Sequence, residues 1–257
     1  MLITSTNNDK IKQVAKLVSS AAERRSCGLF VVEGIRLCRD AVLSGINPTE
    51  LYITESAKIK YSTELDSIIT ASDTVYEISD SVAAKISDTK NPQGVFSVNK
   101  ILDKTENSVR IENTGLYVAL DNIQNPDNLG AICRTAEAFG YNAVIVGGGC
   151  DIYNPKALRA SMGAMFRLPV IRCTTLSELF KGCDTDIIAT VPDSNAMKIT
   201  EYKKSGGAIL VIGNEGNGIS DDVMSMCNCR LTIPMPGKAE SLNAAAAATV
   251  CMWELCK

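Results

Sequence analysis

The pattern of apolar and polar positions changes character near residue 115. Before it, short apolar runs alternate with amphipathic stretches. Asn8-Asp9 can cap a helix whose apolar positions Ile11, Val14, Ala15 and Val18 recur at helical spacing. Leu29–Val32 predicts a strand and Gly34–Ser44 a helix closed by Gly45. Leu51–Thr54 and Val75–Ile78 predict strands around a helical segment at Thr63–Ile69, and Gly94–Val98 a last strand. Residues 1–100 therefore read as a small α/β domain. Asn99–Thr114 is rich in charged, Asn, Ser and Thr residues, and 101–114 is assigned as a linker. From Leu116 the strands become continuously apolar: Leu116–Leu120, Ala143–Val146, Ile187–Val191, Ala208–Ile212 and Leu231–Ile233. Helices are predicted at Leu129–Phe139, Pro155–Met162, Leu176–Phe180, Asp221–Met226 and Leu242–Leu255. This alternation with buried-strand composition predicts a second α/β domain, 115–257, built on a parallel sheet with helices on both faces. Ligands of such sheets bind beyond the carboxyl ends of the strands.

A chain of 257 residues suits two modest domains, and 46% hydrophobic with 21% charged residues is ordinary for a globular protein. No apolar run reaches the ~18 residues of a membrane span, and Met1–Lys10 is too polar for a signal peptide, so a cytoplasmic location without membrane contact is expected. The ten cysteines are scattered with no C-x-x-C, which predicts buried thiols rather than a disulfide framework. Cys227 and Cys229 lack partners at metal-ligand spacing, so no metal is expected. The chain has no histidine, which excludes Ser-His-Asp and Cys-His nucleophile pairs, His-ligated metals and a His general base. Chemistry here must run on carboxylates, arginine, hydroxyls, amides and backbone groups, or on a cofactor.

Net charge is −3, which argues mildly against nucleic acid, but the charge is segregated. Lys10–Arg39 holds seven basic residues (Lys10, Lys12, Lys16, Arg24, Arg25, Arg36, Arg39) against Glu23 and Glu33. Asn154–Thr174 holds Lys156, Arg159, Arg167 and Arg172 and no acid. Segregation of this kind suits a phosphate-binding surface, with solvated helix faces as the alternative.

Three strand ends carry unusual residues. The first runs into Asp121-Asn122-Ile123-Gln124-Asn125-Pro126-Asp127-Asn128-Leu129-Gly130 and a helix with Arg134 early in it, where the helix dipole disfavours a cation. The second runs into Gly213-Asn214-Glu215-Gly216-Asn217-Gly218, where three glycines call for positive φ or a close approach by ligand. The loop fits neither a Walker loop nor G-x-G-x-x-G, and Glu215 suits a cationic ligand better than a phosphate. The third leads through Pro234-Met235-Pro236-Gly237-Lys238-Ala239 to Glu240-Ser241-Leu242-Asn243 and an Ala-rich helix.

At these residues the chain resembles the SpoU–TrmH family of RNA 2′-O-methyltransferases. Asn128-Leu129-Gly130 with Arg134-Thr135-Ala136 and Phe139-Gly140 is similar to the family's first motif, Gly213–Gly218 to its second, and Ile233-Pro234-Met235 with Glu240-Ser241-Leu242-Asn243 to its third. Asn154-Pro155-Lys156 through Ser161-Met162-Gly163-Ala164 and Leu168-Pro169-Val170 also fits. In front, Ile11-Lys12 and Phe30-Val31-Val32-Glu33-Gly34 resemble, more diffusely, the substrate-binding domain of many members, which is akin to small ribosomal proteins. Two departures are visible: Asn125-Pro126-Asp127 stands where Pro-Gly is typical, and the segment from Ala244 is unusually uniform in alanine.

The resemblance implies a SPOUT-type fold with a trefoil knot, a homodimer through the catalytic domain, and S-adenosylmethionine as cofactor, whose sulfonium is a cation of the kind Glu215 favours. It implies a catalytic set of Arg134, Asn128, Glu215, Ser241 and Asn243, and a cofactor set of Thr190, Val191, Gly213, Asn214, Gly218, Ile233, Met235 and Leu242. RNA, ribosomal rather than transfer RNA, would be the substrate, held by Lys10, Lys12, Arg24, Arg25, Arg36 and Arg159. A non-catalytic RNA-binding protein and a nucleotide-dependent oxidoreductase, suggested by Val144–Gly149, are the rival readings. Arg134 is either a base or a group that orients the hydroxyl and stabilises its developing charge.

Overall fold

The computed structural model describes residues 2–102 and 110–257. Its contacts divide the chain into two compact units, Met1–Leu102 with Tyr153–Phe166, and Asp103–Ile152 with Arg167–Lys257.

The first unit contains β1 (Leu2–Ile3), α1 (Asp9–Ser19), α2 (Ala21–Cys27), β2 (Leu29–Glu33), α3 (Ile35–Leu43), β3 (Glu50–Thr54), α4 (Glu55–Lys60), α5 (Ser62–Ala71), β4 (Val75–Ile78), α6 (Asp80–Ile86) and β5 (Val95–Lys100). As the sequence predicts, the Asn8 side chain caps α1 by accepting from Lys10 N, and Ile11, Val14 and Leu17 turn into the core. The five strands lie in the order β1-β4-β3-β5-β2, with β2–β5 and β3–β5 antiparallel. Helices α2, α4 and α6 have no counterpart in the apolar pattern; α2 and α4 bury one residue each, Arg24 and Ala57, and so show no apolar stripe. Asn99 sits fully buried in β5, so the polar run that begins there is at first a strand. Half of the expected linker, residues 103–109, lies outside the described residues.

The segment Tyr153–Phe166, expected within 115–257, packs with this first unit. The Tyr153 ring lies 4.6 Å from that of Phe30, and its hydroxyl donates to Leu102 O at 2.9 Å. The segment carries α8 (Pro155–Ser161) and the start of α9 (Ala164–Arg167).

The second unit contains β6 (Leu116–Asp121), α7 (Pro126–Ala138), β7 (Ala143–Gly147), β8 (Val170–Cys173), α10 (Leu176–Phe180), β9 (Asp186–Thr190), β10 (Met197–Lys198), β11 (Ala208–Ile212), α11 (Asp221–Met226), β12 (Cys229–Thr232) and α12 (Ala244–Leu255). Its seven strands are parallel, in the order β10-β12-β9-β11-β6-β7-β8. Alternate residues face opposite sides. Tyr117, Ala119, Ile145, Ile209 and Val211 pack with Leu176 and Phe180 of α10 and Val223 of α11. Helix α12 packs against α7 and β11. The chain runs from β6 through β7 to β8, then crosses to build β9, β12 and β11 on the other side of β6. The crevice at such a reversal, beyond the carboxyl ends of the strands, is where α/β sheets bind ligands.

The structure corrects the start of α7. Asn125 is the cap, accepting from Asp127 N at 2.9 Å, and Pro126 fills the first turn, where its missing N–H costs nothing. Asn128 is therefore helical and Arg134 lies past the midpoint of α7, not early in it, so the helix dipole carries no argument about Arg134. The thiol expectation holds in part: Cys38, Cys133, Cys150, Cys173 and Cys251 are buried, whereas Cys27 is exposed.

Candidate active site

The loops after β9, β11 and β12 enclose a cavity of about 440 Å³. All eight residues of the expected cofactor set, Thr190, Val191, Gly213, Asn214, Gly218, Ile233, Met235 and Leu242, line it. So do Glu215, Ser241 and Asn243 of the catalytic set. Sequence reasoning missed Ile212, Leu231 and Thr232, strand residues with no unusual character, and Ala244 and Ala247, whose small side chains let α12 form one wall. Its size and its mixture of apolar side chains with backbone polar groups suit an organic ligand.

The Gly213–Gly218 loop is a tight hairpin. Asn214 and Gly218 exchange backbone hydrogen bonds of 2.8 and 3.0 Å. Asn214 Oδ1 accepts from Gly216 N and Asn217 N. The glycines have different reasons. Gly218 takes φ +71°, while Gly213 is required by closeness, since a Cβ there would stand 2.3 Å from Gly218 C. The close approach is by the loop's own backbone.

Glu215 joins the three motifs. Its carboxylate accepts from Gln124 N and Asn125 N, both at 3.1 Å, and from Asn128 Nδ2 at 2.9 Å. Asn128 Oδ1 in turn accepts from Asn243 Nδ2 at 2.9 Å. Asn243 Oδ1 caps α12, accepting from Ala245 N and Ala246 N. Partial burial works to raise the Glu215 pKa, but the hydrogen bonds from Asn128, Gln124 and Asn125 outweigh it and hold the carboxyl below its ordinary value. Glu215 is thus a fixed anion at the cavity edge whose oxygens are engaged by donors, which suits it to hold Asn128 in place rather than to accept a proton.

The remaining expected residues are placed as follows. Arg134 is exposed on α7 and does not line the cavity. Arg25 and Arg36 are exposed on the first unit. Lys10 pairs with Glu50 at 2.7 Å and Lys12 with Asp9 at 3.0 Å. Arg159 pairs with Asp88 at 2.6 Å and lies 3.8 Å from Glu33. Arg24 is a correction: it is only 2% exposed, and its Nη1 donates to Leu17 O and Val18 O at the end of α1. It satisfies carbonyls that the helix end leaves open and is not a surface group for RNA.

A parallel sheet with this cavity beyond its strand ends and a Glu–Asn–Asn relay joining three segments defines a ligand-binding α/β domain, preceded by a smaller α/β domain. Comparison with known proteins agrees. Residues 115–253 match the model of the SpoU rRNA Methylase family, and residues 8–97 that of the MRM3-like substrate binding domain. The chain belongs to the SpoU rRNA methylase family. It is 29% identical to the 23S rRNA (guanosine(2553)-2′-O)-methyltransferase RlmP of Bacillus subtilis over 98% of each chain. It is likewise 29% identical to the 23S rRNA (uridine(2479)-2′-O)-methyltransferase of Streptomyces viridochromogenes, over 97% of this chain and 90% of that one. Among solved structures, the SpoU methyltransferase AviRb of Streptomyces viridochromogenes, crystallised with the cofactor AdoMet, superposes with a TM-score of 0.87 at 26% identity over 97% of each chain.

Proposed function

We propose that the chain transfers a methyl group from S-adenosylmethionine to a ribose 2′-hydroxyl of ribosomal RNA, with transfer RNA as the less favoured substrate. The observation that carries this reading is the Glu215–Asn128–Asn243 relay at the edge of a cavity lined by all eight expected cofactor residues. The cavity fits the cofactor: apolar Ile212, Leu231, Ile233 and Leu242 suit an adenine ring, and the ionised Glu215 suits a sulfonium. When bound, the cofactor supplies a methyl group activated for in-line displacement. Catalysis by the chain is then mainly positioning.

In this reading Thr190, Val191, Gly213, Asn214, Gly218, Ile233, Met235 and Leu242 hold the cofactor. Ser241 and Asn243, which line the cavity, present a hydroxyl and an amide to the ribose, and the buried Asn128, fixed by Glu215, positions Asn243. Arg134 orients the 2′-hydroxyl and its adjacent phosphate and stabilises the developing oxyanion. A guanidinium that stays protonated is suited to this role and ill suited to be a base. Residues 1–100 select the RNA, 101–114 connect, and 115–257 catalyse. Arg25 and Arg36 are the cations best placed to meet phosphate, since Lys10, Lys12 and Arg159 are engaged by carboxylates. A homodimer through the catalytic domain is supported by Ala246, Val250 and Trp253, which form an exposed apolar stripe at helical spacing on α12. The strand order β12-β9-β11, with α12 returning against α7, supports the knot. Ribosomal RNA as substrate supports a cytoplasmic location.

The test is methyl transfer from labelled S-adenosylmethionine to ribosomal and transfer RNA in parallel. The reading expects label in ribosomal RNA, in a 2′-O-methylnucleoside.

A further inference from the structure

The Gly213–Gly218 loop has space on both of its sides. Asn214 and Gly218 line the cofactor-sized cavity and also a second cavity, of about 430 Å³, bounded by Asp121, Asn122, Thr174 and Ser220. With space on both sides, the position of this wall depends largely on hydrogen bonds. Those that reach outside the loop through its side chains end on the β6–α7 connection and, through Glu215, also on Asn128 of α7. Asn214 Nδ2 donates to Asn122 O at 2.8 Å. Just past the loop, Ser220 N donates to Asp121 Oδ2 at 2.7 Å. Glu215 takes the N–H groups of Gln124 and Asn125 from the same connection.

Asn122 is the unusual member. Its φ is +59°, one of two positive values among the described non-glycine residues. Its N–H still bonds Gly147 O in the sheet ladder at 2.9 Å, while its carbonyl has turned away to Asn214. The Gln124 side-chain amide donates to Asn122 Oδ1 at 2.9 Å and steadies this turn. Left-handed backbone at a non-glycine residue carries a cost that the surroundings must offset, and such residues concentrate at functional sites.

We infer that Asn122 is a positioning residue for cofactor binding: its left-handed backbone aims the carbonyl that anchors Asn214 and thereby sets the Gly213–Gly218 loop against the cavity. The inference rests on reading that cavity as the S-adenosylmethionine site. It concerns backbone conformation, so it separates substitutions that a role for the side chain would group together.

The experiment is calorimetric titration of the full chain with S-adenosylmethionine, with a thermal melt of each variant. Glycine takes positive φ freely and keeps the carbonyl, so Asn122→Gly should bind within about threefold of wild type. Valine, branched at Cβ, resists that region, and Asn122→Val should bind at least about tenfold more weakly at a temperature where it is folded. A purely structural role would lower the melting temperature without moving the affinity. If Asn122→Val does not fold, Asn214→Asp decides. It keeps the oxygen that accepts from Gly216 N and Asn217 N but sets a second oxygen against the Asn122 carbonyl. It too should lose about tenfold, although its added charge favours a cationic ligand. Asn122→Gly binding as weakly as Asn122→Val, or Asn122→Val or, in its place, Asn214→Asp binding as wild type does, would overturn the inference. Failure of the wild-type chain to bind S-adenosylmethionine would instead remove the cavity assignment, and the inference with it.

Discussion

Asn128 and Asn243, 115 positions apart in the chain, share a hydrogen bond of 2.9 Å between their side-chain amides. Each is fixed from its other end, Asn128 by donating to Glu215 and Asn243 by capping α12. The bond therefore joins the first and third motifs through atoms that have little freedom to find other partners. Asn128→Ala should slow methyl transfer by about tenfold to a hundredfold, the cost of about 1–3 kcal/mol for leaving partners unsatisfied. In a double-mutant cycle with Asn243→Ala the two losses should be non-additive by about 1 kcal/mol or more. Losses that add to within about 0.5 kcal/mol would show that the two residues act independently.

Glu215 gives a pH dependence of defined sign. Its pKa is held below the ordinary value of 4.5 in the folded loop. A carboxyl depressed by folding contributes stability that is fully present above its unfolded pKa and is lost as pH falls through the folded one. Binding of S-adenosylmethionine should thus show no Glu215 titration near neutrality and should weaken only on acidification below the ordinary carboxylate value. Glu215→Gln should bind more weakly at neutral pH and lose that acid limb. An unchanged acid limb in Glu215→Gln would assign the titration to another group.

Much of this was legible in the sequence because strand ends, glycines and amides punctuate it strongly. The five continuously apolar runs from Leu116 onward became strands of the parallel sheet, shifted by a residue or two at most. What was not legible depended on spatial partners. The period of α7 gives no sign that Asn125 and Pro126 begin it, so Arg134 was misplaced within its helix. Nothing in the composition of Tyr153–Phe166 tells that it packs with Phe30 and Asp88. The basic run Lys10–Arg39 looks uniform in sequence, yet Arg24 points inward to the α1 carbonyls while Arg25 beside it is exposed. Nor does anything mark Asn122, because positive φ at an asparagine is a consequence of the loop that it anchors.

That contrast between neighbours is testable. Arg24→Ala should destabilise the protein by about 3 kcal/mol, through the loss of charged hydrogen bonds to buried carbonyls, in urea unfolding. Arg25→Ala and Arg36→Ala should leave stability within about 0.5 kcal/mol of wild type. If Arg25 and Arg36 meet phosphate, each removal should reduce the slope of log affinity against log salt by about one. Wild-type stability in Arg24→Ala would contradict its structural placement.

Gly213→Ala tests the loop closure. The added methyl would meet Gly218 C at 2.3 Å and Ile219 N at 2.4 Å, backbone atoms that have no flexible end to swing aside. Opening the hairpin should weaken S-adenosylmethionine binding by about tenfold or more, from an overpacking cost of about 1–3 kcal/mol. Gly216→Ala has only the Asn214 Oδ1 atom at 3.6 Å to accommodate and should bind much more tightly than Gly213→Ala. Equal effects at the two glycines would contradict this account.

Methylation of a ribose in ribosomal RNA can be read directly. The most direct measurement is single-turnover transfer from methyl-labelled S-adenosylmethionine to 23S ribosomal RNA, followed by nuclease digestion and separation of the nucleosides, for wild type and Arg134→Lys. Lysine keeps the charge of Arg134 but not its planar fork. The expected result is label in a single 2′-O-methylnucleoside and a rate about 10²–10³ lower in Arg134→Lys, as for loss of an oxyanion donor, with cofactor affinity near wild type. Label on a base, or no label at all in ribosomal RNA, would contradict it.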